Sequence, residues 1–341
     1  MFTFLMHRVL VMVPTLLVIS VITFLIIRLP PGDYLSNQIE ELKSQGEQAA
    51  VEKAEFLRKQ YALDEPILTQ YGIWMGFLPH QGRYSGILQG DFGWSFEFNR
   101  PVNEVVGDRL MLTVVLNFAA ILFTYLVAFP IGVYSATRQY SIGDYGFTFL
   151  GYLGLATPNF LLALVMLFFF NLWFGLSIGG LMDPTYEGQP WSWGKSMSVL
   201  SHMIIPTIII GTSGTAAMIR RLRANLLDEL QKQYVVTGRA KGLPPTRLLI
   251  KYPIRMALNP FVADIGNLLP SIVSGSAIVS VVLSLPTVGP LLLQSLQSLD
   301  QYLAGSILFF LSILTVIGMF ISDLLLAALD PRIRLAGGAT R

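Results

Sequence analysis

Six long apolar runs dominate the chain, at roughly 9–28, 111–135, 147–174, 199–219, 261–283 and 304–329. A helix of about 20 apolar residues matches the ~30 Å hydrocarbon core of a bilayer. A spanning backbone must also satisfy its own N–H and C=O groups, which favours helices. The sequence therefore predicts an all-α membrane protein with six transmembrane helices. Its composition agrees: 53% of residues are apolar and 13% charged, where a soluble domain carries about 25% charge. The first run follows His7 and Arg8 as a secretory signal would, but it ends in "IIRLPPGDYL" without a small-x-small cleavage site. A retained span is expected.

Net charge is only +2, and its distribution is more informative. With residues 1–8 inside, the segments 1–8, 136–146, 220–260 and 330–341 carry 14 Lys/Arg against four acids, Asp144, Asp228, Glu229 and Asp330. The outside segments carry nine Lys/Arg against 15 acids. The bias of Lys and Arg toward the cytoplasm predicts that both termini are cytoplasmic. Trp74, Trp94, Trp173, Trp191 and Trp193 then fall at or beyond the outer ends of spans, where interfacial aromatics belong.

Three parts are expected: 1–29 with the first span, an extracytoplasmic insertion over 30–109, and a core of five spans over 110–341 containing a loop at 220–260. The insertion is too long for a bare connection. Within it, residues 38–63 have the charge mix of an exposed helix interrupted at Gly46, and "YALDEPILTQYGIWMGFL" could lie on the membrane surface. The insertion reads equally as a cap over the outer mouth or as a docking surface.

Several chemistries are excluded or left without support. With no cysteine, disulfides, thiol catalysis and cysteine-ligated metals are excluded. His7, His80 and His202 lie far apart and form no local metal motif. Gly194-Lys195-Ser196 lacks the glycine five residues earlier that a phosphate loop needs; Gly188 is six before it, and Pro190, Trp191 and Trp193 fill the gap. An intramembrane serine protease would need a glycine where Ile272 precedes Ser274-Gly275, and a base for the serine. His202, at the outer start of the fourth span, is poorly placed for that role. No catalytic residue, metal site or nucleic-acid-binding feature is expected.

Two constellations remain. Asp264, Asn267, Ser271 and Ser274 are spaced three, four and three apart, so they share one helical face. Such a stripe faces a bundle interior or a wet cavity. It reads either as the lining of a solute path or as interhelical hydrogen bonding, with Gly266 and Gly275 allowing close packing; Asp264 could equally pair with a basic residue of the loop. Asp323 and Asp330 read as structural acids facing nearby arginines. The loop 220–260 carries nine Lys/Arg against Asp228 and Glu229. Asn225 and Asp228 resemble a capping box, predicting a helix that starts there and stops at Gly242. Pro244-Pro245 forbids its continuation, and a second helix is expected from near Thr246. Anionic lipid alone would attract such charge, but it would not require the apolar content or the bend.

Thr237-Gly238-Arg239-Ala240-Lys241-Gly242-Leu243 differs by one residue from the "TARAKGL" core typical of the cytoplasmic loop in permeases of binding-protein-dependent ABC importers, in the dipeptide/oligopeptide/nickel branch. Further resemblance to that branch lies in Pro31-Gly32-Asp33, "YALDEPILTQY", "GDFGWS" (90–95), "RPV" (100–102), "RLMLT" (109–113) and "LDPRIR" (329–334). Val236 stands where the importer loop often has an acid, Tyr252 where branch members often have histidine, and Ser280 with Pro286-Thr287 replaces the usual glutamate and "PG". The chain is thus similar to a divergent sub-branch.

The resemblance implies a type I importer permease fold in a bacterial inner membrane. It implies a second permease, expected to be a paralogue, two cytoplasmic ATPases that bind ATP and Mg, and an external solute-binding protein; this chain itself would hold no cofactor. Val235, Thr237, Gly238, Arg239, Ala240, Lys241, Gly242 and Leu243 would couple to the ATPases, with Gly242 as the bend, Val235 and Leu243 filling an ATPase groove, and Arg239 and Lys241 orienting it. The cargo would be short peptides or oligosaccharides. An autonomous channel or secondary transporter is the alternative, and it would leave the bent loop unexplained.

Overall fold

The computed structural model describes residues 2–45, 48–174, 179–186 and 189–329. α1 (Phe2–Arg28) is followed by α2 (Tyr34–Gln45), α3 (Gln48–Gln60) and α4 (Ile67–Met75), then by a hairpin of β1 (Trp94–Ser95) and β2 (Arg100–Pro101). Next come α5 (Val102–Thr137), α6 (Ile142–Ala156), α7 (Asn159–Phe174) and α8 (Trp193–Leu230). The short α9 (Gln233–Ala240), α10 (Pro245–Lys251) and α11 (Pro253–Ala263) precede α12 (Ile265–Val282), α13 (Val288–Gln297) and α14 (Gln301–Leu329).

Among the described residues four helices are long and apolar enough to cross a membrane: Met6–Arg28, Val102–Thr137, Trp193–Leu230 and Gln301–Ala328. The expected span 147–174 is not one helix. Pro158 disfavours helical backbone at the residue before it; Thr157 is extended (φ −90°, ψ 119°), and α7 leaves α6 at 103°. Counting that bent pair as one span gives five. The expected span 261–283 is divided at Asp264, where α11 gives way to α12.

The chain forms two compact units. One comprises Thr113–Gly289 with the end of α1 up to Leu10 and the part of α14 from Leu314. Its core gathers Leu116 and Ala120 of α5, Ile209, Ile210, Leu222 and Leu226 of α8, and Val279 and Leu283 of α12. Small residues bring these helices close, as expected where lipid gives no hydrophobic drive for helix association. A Cβ on Gly211 would stand 2.6 Å from Phe123, and Thr124 Oγ1 donates to Gly211 O at 3.1 Å. Arg8 pairs with Asp323 at 2.9 Å in this unit. Asp330, the other acid expected to face arginine, lies outside the described residues.

The second unit comprises Val11–Leu112 and Pro290–Ile313. Most of residues 38–63 fall on α2 and α3, two helices on either side of Gly46, which itself lies outside the described residues. The aromatic stretch expected on the membrane surface is largely core: Trp74 and Met75 are buried with Phe24, Ile87 and Phe309. Trp74 packs against Phe24 and Phe309 at ring-centroid distances of 5.6 and 6.0 Å. The exposed apolar residues of the stretch are Ile67 and Leu68 at its start and Phe77 and Leu78 at its end.

The motifs of this unit act as staples. Asp33 caps α2 by accepting from Ser36 N at 2.7 Å. Gln70 Nε2 donates to Leu63 O and Glu65 O at 3.0 and 2.6 Å. Asp300, fully buried, accepts from Ser95 Oγ at 2.7 Å and from the N–H groups of Glu97 and Leu303 at 3.2 Å. These bonds fix the hairpin to the start of α14.

Candidate functional site

The basic loop departs from expectation at its start. No helix begins at Asn225, because α8 runs unbroken to Leu230. Leu222 and Leu226 are fully buried one turn apart, and this packed stripe overrides the local capping signal. The chain breaks at Gln231-Lys232, and α9 then runs to Ala240.

The turn after α9 is a Schellman motif. Gly242 takes a left-handed backbone (φ +74°). Its N–H bonds Arg239 O at 3.0 Å, and Leu243 N bonds Gly238 O at 3.3 Å, so the last carbonyls of α9 are satisfied. Pro244 and Pro245 then start α10 with a proline at its first position, where the missing N–H costs nothing. α9 and α10 lie so close that a Cβ on Gly238 would stand 2.5 Å from Leu248 Cδ1. The result is a closely packed helix–turn–helix.

Of the eight residues singled out in the sequence, Thr237, Arg239, Ala240, Lys241 and Gly242 are exposed, Leu243 is half-buried, and Gly238 is buried at the crossing of the two helices. Val235 is buried at 2% exposure. It pins the element from inside and is not available to fill a partner's groove. The exposed apolar side chains are instead Val236 and Ile250, at 54% and 62%. The sequence signal that could have found them is their offset from the buried Val235 and Leu248. At the base of the element, partial burial and then a hydrogen bond to the Glu229 carboxylate push the Tyr234 phenol above its ordinary range.

The polar stripe begins at the junction of α11 and α12. Asp264 is buried and paired with Arg221 of α8. Ser322 Oγ donates to Val262 O and Ala263 O at 3.1 and 3.2 Å, and Tyr125 Oη donates to Phe261 O at 2.8 Å, holding the same junction from α14 and α5. Asn267, Ser271 and Ser274 lie in α12, but their side chains fall outside those described. Directly after Ser274, a Cβ on Gly275 would be 3.6 Å from Asn159 Nδ2, which itself donates to Ser213 Oγ at 3.4 Å. Sequence reasoning missed Asn159 and Ser213, since neither belongs to a periodic stripe. Among the described residues no cluster of His, Asp or Glu could hold a metal ion.

Residues 128–335 match the family described as the binding-protein-dependent transport system inner membrane component, and residues 1–117 match the N-terminal component of the same membrane proteins. The chain belongs to this family. It is a permease subunit of a binding-protein-dependent importer. The oligopeptide transport system permease protein AppB of Bacillus subtilis is 33% identical over 337 residues, covering 98% of this chain and 99% of that one. The dipeptide transport system permease protein DppB of Bacillus subtilis is 28% identical, covering 95% of each chain. The glutathione transport system permease protein GsiC of Salmonella choleraesuis is 28% identical, covering 98% of this permease and 99% of its own length. Among solved structures, a chain of the MetNI methionine ABC transporter in an inward-facing conformation aligns with a TM-score of 0.51 at 18% identity, covering 66% of this permease and 96% of that chain. That likeness concerns the fold alone.

Proposed function

We propose that this permease carries short peptides across a bacterial inner membrane as one of two permease subunits, with two cytoplasmic ATPases and an external solute-binding protein. The full-length similarity to permeases named for oligopeptides, dipeptides and glutathione carries the reading and favours peptides over oligosaccharides. α1, α5, the pair α6–α7, α8, the pair α11–α12 and α14 make six crossings, with both termini in the cytoplasm. Residues 30–109 form an external elaboration that meets the binding protein.

The element 233–251 is the coupling piece. Its rigidity comes from the Gly242 turn and the Gly238–Leu248 approach; Arg239 and Lys241 orient it on the ATPase, and Val236, Leu243 and Ile250 supply its apolar contact. ATP-driven closure of the ATPases moves this knob as a rigid body and rocks the attached helices between two states. Asp264, Asn267, Ser271 and Ser274 line the solute path with Asn159 and Ser213, and Arg221 neutralises the inner acid. ATP and Mg are held by the ATPases. Uptake of labelled di- to pentapeptides and of labelled oligosaccharides by cells with and without this gene tests the reading. Loss of ATP-linked peptide uptake alone is expected. Uptake that persists without the ATPases would favour an autonomous channel or secondary transporter.

A further inference from the structure

Two adjoining cavities open between α6 and α8. One, about 170 Å³, is lined by Tyr140, Asp144, Tyr145, Tyr152, Arg220 and Arg223. The other, about 240 Å³, is lined by Phe123, Val127, Ile131, Leu150 and Gly154. Phe147, Gly151, Ala216 and Ile219 line both, which makes them one groove with a polar and an apolar end.

The polar end carries one uncompensated positive charge. Arg223 donates to both oxygens of Asp144, at 3.1 and 2.9 Å, so that pair is neutral. Arg220 is exposed and has no hydrogen-bond or ion-pair partner among the described residues. The exposed Tyr140, Tyr145 and Tyr152 line the same cavity, amphipathic aromatics of the kind enriched at a membrane interface. Along α8 the lining runs from Arg223 and Arg220, through Ile219 and Ala216 shared by both cavities, to Thr215 and Thr212 in the second, where Phe123, Val127 and Ile131 of α5 join it. The groove therefore passes from a charged end to a largely apolar one.

We propose that this groove holds an anionic phospholipid, with its phosphate on Arg220 and an acyl chain laid over Gly151. A monoanionic phosphodiester matches Arg220, the lining cation without a partner among the described residues, and the charged-to-apolar order of the lining along α8 matches the order of groups in a lipid. A neighbouring helix would cover the apolar end, but it would need an acidic side chain of its own to pair with Arg220. Gly151 keeps the groove open: a Cβ there meets only Ala216 at 3.8 Å or more, so a larger side chain would project into the groove without disturbing the helix contact. Gly154 differs, since its Cβ would stand 2.8 Å from Thr212 Cγ2.

Native mass spectrometry of the assembled, delipidated importer, titrated with dioleoylphosphatidylglycerol or dioleoylphosphatidylcholine, tests the site. Wild type is expected to retain phosphatidylglycerol at least fivefold over phosphatidylcholine. Arg220→Gln should abolish that preference, Arg220→Lys should keep it, Gly151→Leu should lose the retained lipid, and glycerol phosphate should not compete. Unchanged phosphatidylglycerol retention in Arg220→Gln overturns the proposal whether or not Gly151→Leu assembles. Competition by glycerol phosphate would make this a site for a free anion. Cross-linking of a Gly151→Cys variant, in a chain with no other cysteine, to the second permease would show that a subunit fills the groove.

Discussion

Gly238 of α9 sits against Leu248 of α10 with no room for a side chain, since a Cβ would stand 2.5 Å from Leu248 Cδ1. Gly238→Ala must therefore push the two helices apart or force Leu248 from its rotamer. Overpacking of this kind costs about 1–3 kcal/mol. ATP-linked uptake by Gly238→Ala should fall severalfold at normal membrane abundance, and the double variant Gly238→Ala/Leu248→Val should recover part of it. Equal uptake by the single variant and wild type would show that the spacing is unimportant.

At Gly242 the constraint is the backbone alone, because a Cβ would meet nothing within 4 Å. Gly242→Ala should cost roughly 1–2 kcal/mol for the left-handed conformation and lower uptake modestly. Gly242→Pro fixes φ near −65° and removes the N–H that bonds Arg239 O. It should abolish coupling of ATP hydrolysis to uptake while insertion, followed by membrane fractionation, stays normal.

Arg221 and Asp264 tie α8 to the junction of α11 and α12. Arg221→Gln strips a buried carboxylate of its ion-pair partner, a loss on the order of a few kcal/mol. The double variant Arg221→Gln/Asp264→Asn should regain much of that stability, read as the melting temperature of the purified importer. Additive losses would mean that the pair is not coupled.

Asp300 gives a pH dependence. Burial raises its carboxyl above the ordinary range, partly offset by its hydrogen bonds, of which that from Ser95 is foremost. The folded state therefore binds a proton more readily than the unfolded chain, whose aspartate titrates near ~4. Stability contributed by the protonated group is full below ~4 and is lost as pH rises through the folded value. Hydrogen exchange of the hairpin amides at 94–100 should slow as pH is lowered from neutrality toward ~4, after correction for intrinsic rates. Asp300→Asn should flatten this response; an identical response in that variant would assign it elsewhere.

The turn at Gly242 was legible in the sequence because Gly242, Pro244 and Pro245 are backbone signals that tertiary packing did not override here. The start of the element was not legible in the same way. Asn225 and Asp228 carry a capping pattern, yet the buried Leu222 and Leu226 hold α8 together through it. Hydropathy alone concealed the break at Thr157-Pro158, where the proline was visible but the apolar run continued. Trp74 could be read from the sequence only as an aromatic near a span end, and its burial between Phe24 and Phe309 emerges from the packing. Val235 and Val236 are neighbours of the same chemistry, and only the packing of α9 on α10 distinguishes the buried one from the exposed one.

The most direct measurement is co-purification of partners with the tagged chain in mild detergent, comparing wild type with Arg239→Ala/Lys241→Ala/Gly242→Pro. Wild type is expected to retain two ATPase chains and a second permease, and the variant to lose the ATPases while keeping the second permease. Equal recovery of ATPases from both would contradict the assignment of residues 233–251 as the coupling element.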